Sequence, residues 1–266
     1  MKTASEPVIP RLASTILILR DAPQGMEVLM VERHHEVDFF SGALVFPGGK
    51  LAKGDADPRV LARCTGVEGL SAEQIELRAG AIREAFEESG ILLARERDSG
   101  EFVGADRATR LGMRYRKPLD SGELGIADLL EAEDLMLACE GLVHFAHWIT
   151  PRPAPKRYDT HFYLALAPAE QVAVHDGKEM VEAQWIRPTD AIAAQAAGKR
   201  TIVTATLFNL RKLNRSDTVA AAMQTARASR IVTVLPEIVE RPQGRMMLIP
   251  EEADYGVSEY PAAARR

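Results

Sequence analysis

The stretch that decides the fold is Arg83-Glu84-Ala85-Phe86-Glu87-Glu88-Ser89-Gly90-Ile91. At about 100° per residue, Phe86 falls on an apolar face with Ile75 and Ile82, and the three glutamates fall on the opposite face. Upstream, Ser71 and Gln74 match a capping box, and Gly90 occupies the position that follows a last helical turn. The sequence therefore predicts a helix over 72–89 with one apolar face and one carboxylate face.

The glutamates are placed unfavourably for an ordinary helix. Like charges three or four positions apart repel by roughly 0.2–0.5 kcal/mol per pair, and carboxylates in the last turn oppose the helix dipole. A divalent cation would reverse both effects, and hard oxygen donors suit Mg²⁺ or Mn²⁺. The alternative is a solvated Glu-rich face. Arg83 is interpreted as a positioning partner for a carboxylate, with an ordinary surface ion pair as its alternative.

Strand patterns lie on both sides of this helix. Residues 14–20 and 27–32 predict two antiparallel strands, and a short strand over 43–46 ends at Pro47-Gly48-Gly49. Further strands are expected over 142–149, 161–167 and 181–186. Helical patterns cover 105–113, 126–139, 189–197, 202–213 and 216–228. The sequence thus predicts an α/β protein with a mixed sheet, whereas residues 231–266 show no clear class.

The glycine turn and the carboxylate helix together match a known pattern. Phe46-Pro47-Gly48-Gly49-Lys50 followed by the 83–91 stretch resembles the Nudix box of the Nudix hydrolases, G-x5-E-x7-R-E-U-x-E-E-x-G-U, although Ala85 is small for the apolar U. Asp55 stands where the pattern has Glu, and residues 56–82 number 27 where the pattern has 7. Loop-closure entropy grows only logarithmically, so this insertion is tolerable, but it leaves open whether Asp55 keeps its place.

This resemblance implies a fold and a domain organisation. We expect a Nudix-type α/β/α sandwich with a mixed sheet, a helical insertion and C-terminal helices, formed by residues 1–266 as a single domain. Its segments are a box turn (46–55), a box insertion (56–82), a catalytic helix (72–89), a helical insertion (96–140) and a C-terminal extension (201–266).

The resemblance also implies hydrolysis of a pyrophosphate bond in a nucleoside diphosphate derivative, with Mg²⁺ or Mn²⁺. It assigns Glu84, Glu87 and Glu88 as ligands of the metal ion, and one of these glutamates as a possible group to orient the attacking water. A backbone carbonyl of Gly48 or Gly49 is assigned as a further ligand. Lys50 would lie near the phosphates or be a solvated loop lysine. Outside the box, Glu179 is the first candidate and Glu182 the second for a general base or an additional metal ligand. The alternative for both residues is that they are solubilising charges at the edge of a strand.

Residues 147–151 and 157–162 resemble the acyl-coenzyme A diphosphatase subgroup. This similarity implies a coenzyme A substrate, with Arg152, Lys156 and Arg157 near its 3′-phosphate. Arg33 is a candidate contact to phosphate or base. Asp38 departs from a coenzyme A signature, so ADP-ribose, NADH and dinucleotides remain alternatives. A Nudix-fold sensor that binds a nucleotide without hydrolysis is a further alternative, which the three intact glutamates disfavour.

Composition limits the partners and the compartment. The 266 residues carry 33 Lys and Arg against 38 Asp and Glu, a net charge of −5 that argues against broad binding to nucleic acid or anionic membranes. No apolar window is long enough to span a membrane. Cys64 and Cys139 are far apart in sequence, and the N-terminus has no signal-peptide pattern. We expect a cytoplasmic protein that binds a small nucleotide-type substrate, with a homodimer as a possibility.

Overall fold

The structure is a computed structural model that describes residues 8–34, 42–152, 154–177 and 180–262. The strands are β1 (Arg11–Ala22), β2 (Gly25–Arg33), β3 (Leu44–Val45), β4 (Gly48–Lys50), β5 (Ala94–Glu96), β6 (Leu135–Leu137), β7 (Val143–Ile149), β8 (Tyr158–Leu166), β9 (Met180–Ile186), β10 (Thr233–Val234), β11 (Glu237–Arg241), β12 (Gly244–Leu248) and β13 (Glu259–Pro261). The α-helices are α1 (Pro58–Leu61), α2 (Ala72–Ser89), α3 (Ala105–Asp120), α4 (Ile126–Ala132), α5 (Pro188–Ala196), α6 (Thr204–Leu213) and α7 (Val219–Ala228).

The large sheet is mixed and is built around β1. Its strand order is β10-β7-β8-β1-β2-β3, while β4 pairs with β1 and β9 pairs with β2. Strand β1 runs parallel to β8 and antiparallel to β2 and β4. The mixed sheet predicted from the strand patterns is therefore confirmed.

Both faces of this sheet are covered by helices. Because side chains alternate along a strand, Ile16 and Ile18 of β1 point to one face and Leu17 and Leu19 to the other. The first pair packs in a buried cluster with α2 residues such as Phe86, and the second pair in a cluster with α6 and α7. This arrangement is the expected α/β/α sandwich.

Helix α2 has the predicted bounds, and its ends are held as the sequence indicates. The Ser71 hydroxyl accepts a hydrogen bond from the Gln74 N–H at 3.2 Å, and the Gln74 side chain accepts one from the Ser71 N–H at 2.9 Å. Gly90 ends the helix with a φ of 75°, in the left-handed region that favours glycine. Local rules alone fix the position of this helix along the chain.

The helical insertion differs from its prediction in two places. Helix α3 continues to Asp120, seven residues beyond its predicted end at 113. Helix α4 stops at Ala132, and the predicted helical continuation to residue 139 is wrong. Asp134 takes a left-handed φ of 49°, after which 135–137 form β6 and pair with β5. Leu135 and Leu137 are buried in this pairing, so burial in a strand outweighs the local helical pattern.

The box insertion and the helical insertion bind each other. Arg59 of α1 lies 3.2 Å from the Asp128 carboxylate and 3.1 Å from that of Glu131, both on α4. The Thr65 hydroxyl donates to the Leu137 carbonyl at 2.9 Å. Cys64 lies in the same region, and it and Cys139 are free and buried. These contacts make the two inserted segments one packed unit beside α2.

The C-terminal residues form structure that the sequence did not predict. Strands β11, β12 and β13 make a small antiparallel sheet in the residues to which no class was assigned. The helices before them were predicted: α6 and α7 begin at 204 and 219, within three residues of their predicted starts. The Tyr255 hydroxyl donates to Asn209 of α6 and accepts from the Trp148 indole N–H, both at 2.8 Å. The tail is thereby fixed to the sheet. Within the described ranges, none of the helices has the length and apolar character needed to cross a bilayer.

Candidate active site

The carboxylate face of α2 lies against the glycine turn that leads into β4. Glu88 is buried, and its Oε2 accepts a hydrogen bond from the Gly48 N–H at 2.9 Å. Glu84 lies against Gly49, where an added Cβ would come within 2.6 Å of the Glu84 carboxylate. The glutamates therefore occupy a crevice between the helix and the turn, and the alternative of a freely solvated face does not describe them.

The turn needs glycine for two reasons. Gly48 has a φ of +155°, and a Cβ there would lie 2.6 Å from the backbone oxygen of Ser14. At Gly49 the obstacle is the Glu84 carboxylate itself. A side chain at either position would push the turn away from α2, so the two glycines set the distance between the backbone and the carboxylates.

Arg83 connects the two halves of the interrupted motif. Its Nε and Nη2 donate to the two oxygens of Asp55 at 2.7 and 2.9 Å, and Nη2 also donates to the Lys50 carbonyl at 3.1 Å. Asp55 is fully buried and also accepts from the Ala52 N–H at 2.8 Å. Asp55 thus sits beside Arg83 despite the insertion, which settles the question that the sequence left open.

The same guanidinium holds two of the three candidate metal ligands. Arg83 Nη1 lies 3.0 Å from Glu84 Oε1 and 2.9 Å from Glu87 Oε2. Each contact uses one oxygen of a carboxylate that has about four lone-pair directions. Arg83 therefore orients these side chains toward the turn, as a positioning residue should, and its alternative as an exposed surface ion pair does not fit its burial.

The electrostatics of the crevice favour a cation. Burial raises the pKa of Glu87 to about 7, and the neighbouring Glu84 charge adds to this effect while Arg83 opposes it. A raised pKa means that negative charge is insufficiently compensated at this position. Oxygen donors that lack compensation are the kind that Mg²⁺ or Mn²⁺ binds, so the residues present fit such an ion.

The predicted residues outside the helix are placed differently from one another. Lys50 is exposed at the end of β4, and Arg33 is half-buried at the end of β2. Glu179 lies outside the described residues. Glu182, its alternative, is on β9 and forms an ion pair with Arg200 at 2.9 Å, so it is engaged away from the box glutamates.

The basic loop before β8 separates into two kinds of residue. Arg152 is exposed. Arg157 is buried, and it donates to the backbone carbonyls of Thr150 at 3.0 Å and Val8 at 2.7 Å. Arg157 therefore holds the chain before β1 in place, and its guanidinium does not form the open cationic surface that the sequence analysis expected with Arg152.

Comparison with known proteins agrees with this geometry. The family model described as the NUDT19 Nudix domain matches residues 65–213. The acyl-coenzyme A diphosphatase NUDT19 of Xenopus laevis is 24% identical over 225 residues, which cover 70% of this chain and 59% of that protein. The Homo sapiens protein of the same name is 27% identical over 207 residues, 63% of this chain and 55% of its own. The chain thus spans somewhat more than half the length of these relatives.

A solved structure shares the fold over most of its length. The crystal structure of a NUDIX hydrolase from Alicyclobacillus acidocaldarius superposes with a TM-score of 0.68 and 25% sequence identity. The match covers 82% of this chain and 96% of that one. The fold described above therefore extends to a protein whose sequence has diverged in three positions of four.

Proposed function

The chain belongs to the Nudix hydrolase family, and from that premise we propose that it hydrolyses the pyrophosphate bond of a coenzyme A derivative with the help of Mg²⁺ or Mn²⁺. The observation that carries the proposal is the placement of Glu84 and Glu88 against the Gly48-Gly49 turn, while Arg83, itself held by Asp55, contacts Glu84 and Glu87. The three intact glutamates disfavour the alternative of a chain that binds a nucleotide without hydrolysing it.

Each box residue has a distinct part in the proposed reaction. Glu84, Glu87 and Glu88 would hold the divalent ion, together with a carbonyl of the glycine turn. When bound, such an ion neutralises charge on the phosphates and lowers the pKa of water. One of the three would also orient the attacking water, and the Glu87 oxygen that does not contact Arg83 is Oε1.

The coenzyme A part of the proposal rests on similarity and on charge. The matched relatives carry acyl-coenzyme A diphosphatase in their names. Lys50 and Arg152 are exposed cations at the end of the sheet where β1 begins. Lys50 pairs with Ala13 of β1. The loop that carries Arg152 leads into β8, whose first residue pairs with Arg11. Cations in such positions suit a substrate with several phosphates.

The test is a comparison of substrates by the purified chain with Mg²⁺ or Mn²⁺. Coenzyme A, an acyl-coenzyme A, dephospho-coenzyme A, ADP-ribose, NADH and a diadenosine polyphosphate are incubated in parallel, and phosphate-containing products are separated. We expect 3′,5′-ADP and a phosphopantetheine product, formed faster from the coenzyme A compounds than from the others.

Three outcomes would change the proposal. Faster hydrolysis of ADP-ribose, NADH or the dinucleotide would move the enzyme to that substrate class. Equal kcat/KM for coenzyme A and its dephospho form would remove recognition of the 3′-phosphate. Tight binding of a nucleotide with no product from any compound would replace the hydrolase by a sensor.

A further inference from the structure

A second group of ligand-type side chains lies on the sheet, outside the Nudix motif. His147 of β7 is the direct cross-strand neighbour of His161 on β8, and Asp159 precedes His161 by two residues, so all three side chains point to the same face. One ligand atom from each lies within 4.8 Å of the other two, and all three residues are half-buried. All three residues lie in the stretches 147–151 and 157–162 that carry the subgroup resemblance, but their spacing along the chain does not indicate a common site.

The two imidazole rings are oriented from outside the group. His147 Nδ1 lies 2.8 Å from the Thr233 hydroxyl of β10, and His161 Nδ1 lies 3.1 Å from Nε2 of His144. Their Nε2 atoms face the carboxylate instead: His147 Nε2 contacts Asp159 Oδ1, and His161 Nε2 is 3.9 Å from the same oxygen. The His147–Asp159 contact requires a proton on that Nε2. With the proton instead on Nδ1 of each ring, donated to Thr233 and His144, both Nε2 lone pairs would be available to a cation beside the carboxylate.

This is the arrangement that metal-binding histidines adopt. A ligating imidazole usually gives its other N–H to a second partner, which fixes the ring and its tautomer. Thr233 and His144 are in position to be those partners.

We propose that His147, His161 and Asp159 form a transition-metal site, separate from the box glutamates, that binds Zn²⁺. Two neutral imidazoles and one carboxylate suit Zn²⁺ and its neighbours in the first transition row, whereas Mg²⁺ prefers oxygen donors alone. Three protein ligands leave a fourth position for water or an anionic ligand.

The sheet register places this site close to the Nudix motif. His161 pairs with Ser14 of β1, and Ser14 pairs on its other side with Gly49. The zinc site is therefore two strands away from the glycine turn. The proposal does not depend on the proposed function, because it would hold equally in a chain that bound a nucleotide without hydrolysing it.

The test measures Zn²⁺ binding to the chelator-treated full chain by calorimetry, with metal analysis after gel filtration. The Glu87→Gln/Glu88→Gln double variant removes two of the three box ligands, and we expect it to retain one tightly bound Zn²⁺. Adding Asp159→Asn or His161→Gln to it should abolish that binding. Thr233→Val should weaken it by about 10- to 100-fold, because it removes only the partner of His147 Nδ1. His175→Gln, at an exposed histidine outside the group, is the matched control and should change nothing.

Co²⁺ gives a readout that does not depend on any variant. Bound by two nitrogens and a carboxylate in four-coordinate geometry, it should absorb strongly in the visible range, whereas Co²⁺ in an all-oxygen, six-coordinate site absorbs weakly. The proposal is overturned if the box double variant loses Zn²⁺, if Asp159→Asn and His161→Gln bind it as the double variant does, or if Co²⁺ shows only the weak spectrum.

Discussion

Two clusters of ligand-type side chains lie on the same side of the large sheet, and they are built in opposite ways. Glu84, Glu87 and Glu88 are neighbours on one helix. The positive charge of Arg83, which contacts Glu84 and Glu87, reduces the repulsion among their carboxylates. His147 and His161 come from different strands, and Thr233 and His144 orient them through their outer nitrogens. The first cluster needs positive charge, whereas the second offers neutral nitrogen donors. One sheet can thus support two sites with different metal preferences.

The largest expected effect concerns the buried brace of the carboxylate cluster. Asp55→Asn removes the fully buried carboxylate that accepts from Arg83 through both of its oxygens, and breaking a buried pair from one side costs about 3–5 kcal/mol. We expect a loss of this size in the free energy of unfolding, measured with urea. Asp57→Asn is the control, because Asp57 forms an exposed pair with Arg59 and should cost at most about 1 kcal/mol. Equal losses in the two variants would contradict the role given to Asp55.

The next effect is on catalysis. Glu87→Gln and Glu88→Gln keep the shape of each side chain but remove its charge, and we expect kcat to fall by about 100-fold or more, equivalent to about 2.7 kcal/mol. Glu73→Gln is the control, since it makes the same change at an exposed position in the first turn of α2. Wild-type turnover in the Glu87 and Glu88 variants would show that these glutamates take no part in the reaction.

A smaller effect separates the clusters by metal. Mg²⁺ at ten times its dissociation constant should stabilise the folded chain by about 1.4 kcal/mol, because it binds the folded state alone. The rise in Tm should disappear in Glu88→Gln and persist in His161→Gln. If His161→Gln also lost the Mg²⁺ effect, the two clusters would not be independent.

The smallest net effect is that of pH on the chelator-treated protein, because the two clusters contribute opposite dependences. The folded pKa of Glu87 is raised from 4.5 to about 7 by burial, so the folded state binds more protons and stability falls as pH rises through this window. The folded pKa of His161 is lowered from 6.5 to about 4, so the unfolded state binds more protons and stability rises with pH between these values.

Urea unfolding between pH 4.5 and 6.5 distinguishes the two contributions. Glu87→Gln should make stability rise more steeply with pH than in the wild type, and His161→Gln should make it fall more steeply. Slopes that did not differ among the three proteins would show that neither group titrates as its burial requires.

The two clusters also differ in how well the sequence predicts them. Spacing along α2, a capping box at Ser71 and a glycine at position 90 act within a few residues, so the helix and its carboxylate face could be predicted to the residue. His147 and His161 meet only through the register of β7 with β8. No local spacing rule encodes that register, and the group therefore could not be found from the sequence.

Longer-range packing explains the remaining differences. Residues 135–137 leave the predicted helix because β5 offers them a strand partner about forty residues earlier in the chain. The small sheet of β11–β13 depends on Tyr255 reaching α6 and Trp148. The sequence could not show whether Asp55 lies beside the box helix, because the length of the insertion does not say where its two ends lie. The hydrogen bonds from Arg83 to Asp55 bring these ends together.

The contacts between the box insertion and the helical insertion have a consequence for exchanging segments between this chain and its relatives. The segment after Asp55 leaves and re-enters beside Arg83, and its contacts from Arg59 and Thr65 go to 128–137. Removing either segment alone would strip the other of its partners, and removing both would uncover α2, since Tyr115 and Leu119 of α3 are buried in its cluster and Arg116 donates to the Glu87 carbonyl at 2.9 Å. A chimaera with a relative therefore requires that the two segments be exchanged together.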